Sequence, residues 1–194
     1  MNAAEQFINL DFDEESHTYR HNGKVVPSVT QILKDLGFID DEWFTEESRN
    51  RGNNVHRACE LLDNGNLDWL SVSDEIRGYV AAYESFLSES KCGILEVEQR
   101  LFNENLFVAG TVDRIIKLNG RTTVLDIKSG AHQKWWKYQV AGYARMKFGK
   151  APVNTMSLEL RADGKYSVRN YNDHGHNVAV FESCVNVYHA KNSC

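Results

Sequence analysis

Two strand-like segments joined by Asn119–Gly120 constrain the fold of this chain more than any other feature. Segments 106–118 and 121–128 are rich in β-branched and aliphatic residues, and the two residues between them are typical of a tight β-hairpin. A two-residue loop also fixes which residues of the two strands pair. The sequence therefore predicts an antiparallel pair of strands with a defined register.

The register of this hairpin brings two carboxylates together. Pairing Leu118 with Arg121 across the turn places Asp113 directly opposite Asp126, with the two Cβ atoms about 5 Å apart. Like charges that face each other destabilise a sheet unless one of them is protonated or a cation lies between them. Because all-oxygen ligands suit Mg²⁺ or Mn²⁺, we predict that one or two of these ions bind both aspartates.

A lysine accompanies the two aspartates. Lys128 follows Asp126 by two residues, so both side chains lie on the same face of a strand. An ammonium group there can orient a water molecule or stabilise the negative charge that develops on a phosphate. The alternative is a solvated strand end, where aspartate and lysine are common. The matching position of Asp113 favours a metal site at Asp113 and Asp126, with Lys128 beside it, over a solvated strand end.

The rest of the sequence predicts an α+β (α/β) fold with a central mixed sheet flanked by helices. A chain of 194 residues, 42% of them hydrophobic, fits a single domain with its own core. We expect a mostly helical part at 1–91, a core sheet and helix at 94–171, and a C-terminal helix at 176–190. Within these parts we predict hairpins at 18–26 and 155–171, helices at 28–37, 46–62, 73–88 and 133–148, and a first strand of the sheet at 94–102.

The charge of the chain is distributed unevenly. The formal net charge is −5, but residues 1–91 hold 8 basic and 18 acidic residues, whereas residues 114–150 hold 9 basic residues and one acid. A local basic zone can bind a polyanion even on an acidic protein. A solvated basic face is the alternative, and charge alone does not separate the two.

The segment 133–148 combines helical spacing with interleaved basic and aromatic residues. Lys134 and Lys137 flank Trp135 and Trp136, a pattern that suits a phosphate track with base stacking. Core tryptophans beside a solvated lysine face are the alternative, and both can hold at once because adjacent helical residues point about 100° apart. We expect one of the two tryptophans to be exposed.

Several motifs in these segments resemble a known group of nucleases. Gly110–Asp113, Asp126–Gly130 and Gln139–Tyr143 resemble the G-x-x-D, D-x-K and Q-x-x-x-Y motifs of the PD-(D/E)xK nuclease superfamily, in its RecB-like branch. Upstream, Arg51–His56 resembles the G-x-x-x-H helix of that branch, and Val26–Leu33 resembles the start of phage-type members. The resemblance covers about residues 18–150 and implies a restriction-endonuclease-like core.

The resemblance also implies a role for each matched position. His56, Asp113 and Asp126 would bind the metal together with the backbone carbonyl of Ile127, and Lys128 would be the catalytic lysine. The residues expected to contact DNA, from the resemblance and from the basic–aromatic helix, are Arg51, Lys134, Trp135, Lys137, Gln139 and Tyr143.

An acidic residue on the first strand of the sheet completes the site in this branch. Glu96 and Glu98 both qualify and share a face of a regular strand. Pairing Phe102 with Leu106 turns both glutamates away from Asp113, whereas a one-residue shift brings them round. Glu98 matches the position in the branch better, and we therefore include it among the predicted metal ligands.

The cysteines and the N-terminus exclude some other classes. Cys59, Cys92, Cys184 and Cys194 form no C-x-x-C pair and do not match the iron–sulfur cluster pattern of some RecB-like proteins, so we expect no such cluster. No apolar segment approaches the roughly 20 residues of a membrane helix, and residues 1–11 do not resemble a signal peptide. We expect a cytoplasmic protein with no membrane partner.

The resemblance implies a metal-dependent DNA exonuclease that serves phage or prophage recombination or repair. Its partner would be DNA, together with a recombinase, a single-strand-binding protein or a helicase. Two alternatives remain open, a structure- or site-selective endonuclease on the same core and a non-catalytic DNA-binding module.

Overall fold

A computed structural model describes residues 10–14, 16–40 and 45–192, and within these ranges the chain forms two sheets and five helices. Along the chain the elements are β1 (Leu10–Asp13), β2 (Thr18–His21), β3 (Lys24–Val26), α1 (Val29–Asp35), α2 (Glu46–Asp63), α3 (Asp74–Ser90), β4 (Gly93–Asn103), β5 (Val108–Leu118), β6 (Arg121–Lys128), α4 (Trp136–Phe148), β7 (Asn154–Leu160), β8 (Tyr166–Asn170) and α5 (His174–Asn192).

The central sheet has five strands in the order β4-β5-β6-β7-β8. Strands β6 and β7 are parallel, with α4 between them in the chain, and the other neighbours are antiparallel. The predicted α+β fold with a central mixed sheet flanked by helices is therefore confirmed. The predicted hairpins also form, since β2 pairs with β3 and β7 pairs with β8.

Helices cover both faces of the central sheet. Val124 packs in a core with α1, α4 and α5, whereas its neighbour Leu125 packs in a second core with α2 and α3. Adjacent residues of a strand point to opposite faces, so the two cores lie on opposite sides of the sheet. This double cover explains why β6 is buried at five consecutive positions, 123–127.

Local sequence determines where the helices near the site begin. The Ser28 side chain caps α1 by accepting a hydrogen bond from the Gln31 N–H at 3.0 Å. Thr45 caps α2 in the same way, accepting from the Ser48 N–H at 3.1 Å. Both helices line the cleft that is described below.

The N-terminal part contains more strand than the sequence predicted. Strand β1 was not expected, and it joins the predicted hairpin in a separate antiparallel sheet of order β1-β2-β3. This small sheet attaches to the central one because the Ala109 N–H donates to the Pro27 carbonyl at 3.0 Å and Ser28 forms a bridge with Ala109. Across the described ranges, no helix is both long and apolar enough to cross a membrane.

Candidate active site and metal centre

The hairpin at Asn119–Gly120 has the predicted register up to the place where the site begins. Asn119 and Gly120 have φ values of 49° and 76°, as a tight hairpin turn requires, and Leu118 pairs with Arg121. The pairing of β5 with β6 continues as far as Arg114 and Leu125 and then stops. Strand β6 nevertheless stays paired with β7 through Lys128, so β5 and β6 separate one residue before the two aspartates.

The Asp113 carboxylate bridges the place where these strands separate. Its Oδ2 atom accepts a hydrogen bond from the Ile127 N–H at 2.6 Å, in place of the backbone pairing that has ended. The contact holds the Asp113 carboxylate and the Ile127 peptide side by side. Ile127, whose carbonyl was a predicted ligand, is thus next to Asp113, while its side chain is buried in the core with α2 and α3.

Glu98 lies opposite Asp113 on the neighbouring strand. Strands β4 and β5 pair Phe102 with Ala109 rather than with Leu106, and in this register Glu98 and Asp113 fall between the pairs Gln99–Val112 and Val97–Arg114. The observed register differs from the Phe102–Leu106 register by an odd number of residues. Because an odd shift moves side chains to the other face of the sheet, Glu98 faces the site.

The alternation of side chains breaks at this level of the sheet. Val112 packs with α4 and α5, whereas Arg114, which would share its face in a regular strand, contacts α2 and α3. On the neighbouring strand Glu98 has a left-handed φ of 46°. The prediction that Glu96 and Glu98 share a face was therefore wrong, because Glu96 pairs with Lys147 of α4 and Glu98 faces His56 of α2.

His56, Glu98 and Asp113 form a cluster that could hold a metal ion. One potential ligand atom from each residue lies within 4.8 Å of the others. His56 Nδ1 is 3.6 Å from Asp113 Oδ1 and 4.0 Å from Glu98 Oε1. Asp113 is buried and the other two are half-buried, so solvent and a ligand can reach the cluster from the side of α2.

Asp126 and Lys128 form the neighbouring half of the site. Lys128 Nζ lies 2.7 Å from Asp126 Oδ2, which agrees with the prediction that they share a face of β6. Lys128 Nζ also donates to Gln139 Oε1 at 2.9 Å. Asp126 is 1% exposed and lies outside the three-residue cluster.

Gln139 and Tyr143 orient Lys128 from α4. Gln139 Nε2 donates to the Tyr143 hydroxyl at 3.0 Å, while Gln139 Oε1 accepts from Lys128. Tyr143 packs so closely on β5 that a Cβ at position 110 would lie 2.8 Å from its Cε1 atom, which explains the glycine there. Both α4 side chains are buried at the back of the cleft, where they hold the lysine.

A buried arginine supports the cluster from below. The Arg114 guanidinium is fully buried; its Nε donates to Asp63, and its Nη1 donates to Glu98 Oε1 at 2.8 Å and to the Asp113 carbonyl at 2.6 Å. The Tyr83 hydroxyl also donates to Asp63, at 2.9 Å. Sequence reasoning missed Asp63, Tyr83 and Arg114. An arginine in the middle of an apolar strand could have indicated them, because a buried charge requires partners.

The site lies in a cleft of about 1200 Å³ between the small N-terminal sheet, α1 and α2. His56 and Asn53 of α2 line one side, Thr30 of α1 and Tyr19 of β2 line the other, and Asp113 lies on the floor. All five side chains predicted to form the metal and catalytic sets line this cleft, namely His56, Glu98, Asp113, Asp126 and Lys128. Gln139 and Tyr143, which were predicted to contact DNA, line it as well.

The predicted basic–aromatic DNA track does not form at the cleft. Trp135 and Trp136 are 9% and 4% exposed, so the expectation that one of them is exposed was wrong. They lie at the start of α4, where both rings pack towards β6 with their centroids 5.6 Å from Lys128 Nζ. Trp135 thus contacts the predicted catalytic lysine rather than solvent.

The other predicted DNA contacts lie outside the cleft. Lys134 is exposed, Lys137 Nζ lies 4.9 Å from the ring centroid of Tyr138, and Arg51 lies 6.0 Å from that of Tyr79. Of the nine basic residues in 114–150, Lys128 is the one that lines the cleft. The basic segment is dispersed because it runs through two strands and a helix that point to different sides of the fold.

Burial and crowding of carboxylates raise two pKa values at the site. Burial, with a further contribution from the Asp113 charge, raises the pKa of Glu98 to about 7 although Arg114 opposes the shift. Burial also raises the pKa of Asp126 to about 6, with Lys128 opposing and Asp113 adding to the shift. Without a cation, these two carboxyl groups are therefore protonated more readily than they would be in water.

These shifts predict that the metal-free protein loses stability as the pH rises from about 4.5 to about 7. In that window the folded protein holds a proton on Glu98 that the unfolded chain has released, since the ordinary pKa is 4.5. Raising the pH therefore favours unfolding. We therefore compare the melting temperatures of Glu98→Gln and the parent in EDTA. The advantage of Glu98→Gln over the parent should be larger at pH 8 than at pH 5. A difference that does not change with pH would contradict the assignment.

Comparisons with known proteins add little to this geometry. No protein-family model and no curated protein matches this sequence. Among solved structures the chain is similar to the crystal structure of SSO0001, with a TM-score of 0.33 and 13% sequence identity over 82% of this chain and 84% of that one. A TM-score of this size supports no conclusion about function.

Proposed function

We propose that this protein is a metal-dependent deoxyribonuclease that hydrolyses phosphodiester bonds. The observation that carries the proposal is the cluster of His56, Glu98 and Asp113 beside the Asp126–Lys128 pair, at the floor of one open cleft. The resemblance to RecB-like nucleases, in the same residues, supports DNA as the substrate and a phage-type exonuclease as the subtype.

The donor set fits a divalent cation of the Mg²⁺ or Mn²⁺ class. Carboxylate oxygens of Glu98 and Asp113 are hard ligands, and the imidazole of His56 favours Mn²⁺ over Mg²⁺. Burial and, after it, the neighbouring Asp113 charge raise the pKa of Glu98, and a bound cation would oppose both effects. When bound, such an ion lowers the pKa of water and polarises the scissile phosphate.

The remaining groups of the site suit phosphodiester hydrolysis. Lys128 is held between Asp126 and Gln139, so its ammonium group keeps a fixed position from which it stabilises negative charge on the phosphate. The Asp113 carboxylate is locked on the Ile127 N–H and therefore presents Oδ1 to the cleft without reorganisation. The Trp135 ring excludes water from the side of Lys128 that faces the core.

Cleavage of linear and covalently closed circular DNA tests this function. With Mn²⁺ or Mg²⁺, we expect the linear DNA to be degraded and the circle to remain intact, and EDTA should stop the reaction. Lys128→Ala should lower the rate at least about 100-fold. Lys117→Ala is the matched control, because Lys117 is exposed near the opposite end of β5 and should leave the rate unchanged.

The other outcomes distinguish the alternatives. Nicking of the circle would replace the exonuclease by an endonuclease on the same site. Binding of DNA without any cleavage in either metal would contradict the hydrolase and favour a non-catalytic binding module. Equal rates for Lys128→Ala and Lys117→Ala would show that the observed activity does not come from this site.

A further inference from the structure

The wall of the cleft that faces α2 carries aromatic rings which the proposed hydrolysis does not use. Phe12 of β1, His17 of the β1–β2 turn and Tyr19 of β2 all line the cleft. Tyr19 is buried and fixed to the floor, because its hydroxyl lies 2.8 Å from Thr111 Oγ1, two residues before Asp113 on β5. Phe12 packs on Tyr19 with ring centroids 4.5 Å apart. Tyr19 therefore lies between Phe12 and β5, the strand that carries Asp113.

The two outer rings, Phe12 and His17, line the open cleft, where a ligand can reach them. Phe12 is half-buried and His17 is exposed, and their rings meet edge to face with centroids 5.4 Å apart. His17 has a left-handed φ of 51°, and its Nδ1 lies 3.2 Å from the Glu14 carbonyl, so the turn fixes the position of its ring. The perpendicular rings form a corner that can hold a planar group against one face and one edge.

A cation accompanies the rings. The Arg100 guanidinium lies 5.2 Å from the Phe12 ring centroid and lines the same cleft. A guanidinium beside an aromatic ring pairs a phosphate contact with a stacking surface, which is the combination found where proteins bind single-stranded nucleic acid. Sites for duplex DNA instead depend on cations that follow two phosphate backbones.

The charge of the cleft also disfavours a duplex. The side chains that line it include five acidic residues, Glu14, Glu60, Glu98, Asp113 and Asp126, and four basic ones, Lys34, Arg57, Arg100 and Lys128. A duplex brings about twice the phosphate density of a single strand per unit length, so it is repelled more strongly. Bases inside a duplex also have both faces covered by their neighbours and cannot stack on Phe12.

We propose that Phe12 and His17, together with Arg100, form a binding site for an unpaired nucleobase, so that nucleic acid enters the cleft as a single strand. The identity of the ligand as nucleic acid rests on the proposed nuclease function. The residues of this site lie in β1, the β1–β2 turn and β4, outside the cluster that would hold the metal.

Equilibrium binding tests this site without requiring catalysis. Fluorescence anisotropy in EDTA would compare a fluorescein-labelled single-stranded 12-mer, its duplex, and an abasic sugar–phosphate strand of the same length. We expect the single strand to bind at least about tenfold more tightly than the duplex. Phe12→Leu should weaken binding of the single strand about tenfold, and His17→Ala about fivefold, without affecting the abasic strand.

Matched controls separate stacking from general damage. Phe38→Leu removes a half-exposed ring outside the cleft and should leave binding unchanged. Because His17 is exposed, His17→Ala tests the site even if Phe12→Leu proves unstable. The proposed binding site would be overturned if the single strand and the duplex bound with equal affinity. It would also be overturned if Phe12→Leu bound the single strand as tightly as Phe38→Leu and His17→Ala left the affinity unchanged.

The outcomes also separate this site from the proposed hydrolysis. If single-strand binding depends on Phe12 and His17 but no DNA is cut in Mn²⁺, the hydrolysis is wrong and the binding site holds. If DNA is cut but both variants bind like Phe38→Leu, the hydrolysis holds and the binding site is overturned.

Discussion

Asp113→Asn should lower metal-dependent DNA cleavage at least about a thousandfold while raising the melting temperature of the metal-free protein. The substitution keeps an oxygen that can accept the Ile127 N–H, so the separation of β5 and β6 is preserved. It removes one charged ligand from the cluster with His56 and Glu98, and loss of a charge that holds a catalytic metal has effects of this size or larger.

The gain in stability has a separate cause. The Asp113 charge raises the pKa values of both Glu98 and Asp126, which means that it repels their ionised forms. Removing it at pH 8 in EDTA should stabilise the fold by about 1 kcal/mol, or about 2–4 °C in melting temperature for a chain of this length. Saturating Mn²⁺ should reverse the order of the two proteins, because only the parent retains the full ligand set.

Asp163→Asn is the matched control for this prediction. Asp163 likewise accepts a backbone N–H, from Lys165 at 3.1 Å, but it lies in an exposed turn far along the chain from the cluster. Cleavage rates measured with Mn²⁺, and melting curves with and without EDTA, should show no change in this variant. A metal-free Asp113→Asn that is less stable than its parent would mean that Asp113 is a structural residue rather than half of a repulsive pair.

Arg114→Met should destabilise the protein by about 3–5 kcal/mol, the largest stability effect that we expect from a single substitution at the site. The side chain is fully buried and donates hydrogen bonds to Asp63, to Glu98 and to the Asp113 carbonyl. Methionine fills similar space without a charge, so the Asp63 carboxylate and the nearby Glu98 lose their cation in a medium that solvates them poorly. Urea unfolding at pH 7.5 measures the loss.

Two further variants test the cause of this loss. Arg145→Met breaks the ion pair between α4 and Glu182 of α5, where both side chains are partly exposed, and should cost less than about 1 kcal/mol. Adding Asp63→Leu to Arg114→Met should recover part of the stability, because it removes the carboxylate left without a partner. Equal losses for Arg114→Met and Arg145→Met, with no recovery in the double variant, would contradict a buried charge network.

Short-range patterns predicted much of this fold and part of the site. The Asn119–Gly120 turn fixed the β5–β6 register, and the two-residue spacing of Asp126 and Lys128 placed both on one face, where they form an ion pair. The helix predicted at 28–37 begins where expected, with Ser28 as the cap of α1. Each of these features depends on interactions within a few residues or across one tight turn, which the sequence contains in full.

The predictions that failed depended on contacts between distant segments. The spacing of Trp135 and Trp136 could not indicate that both rings would be buried beside Lys128, because their burial depends on β6 and the helices packed around it. The shared face predicted for Glu96 and Glu98 failed at a left-handed φ, which a β-strand pattern does not foresee.

By itself the sequence determined the hairpin register, the starts of the first three helices and the residue types of the candidate metal site. Tertiary structure alone decided that Glu98 and Asp113 turn towards His56, that Arg114 binds Asp63 beneath them, and that the small sheet closes the cleft with Phe12 and His17. The reason is physical. Turns and caps are stabilised by neighbours in the chain, whereas the partners of buried charges are selected by the packing of elements far apart in sequence.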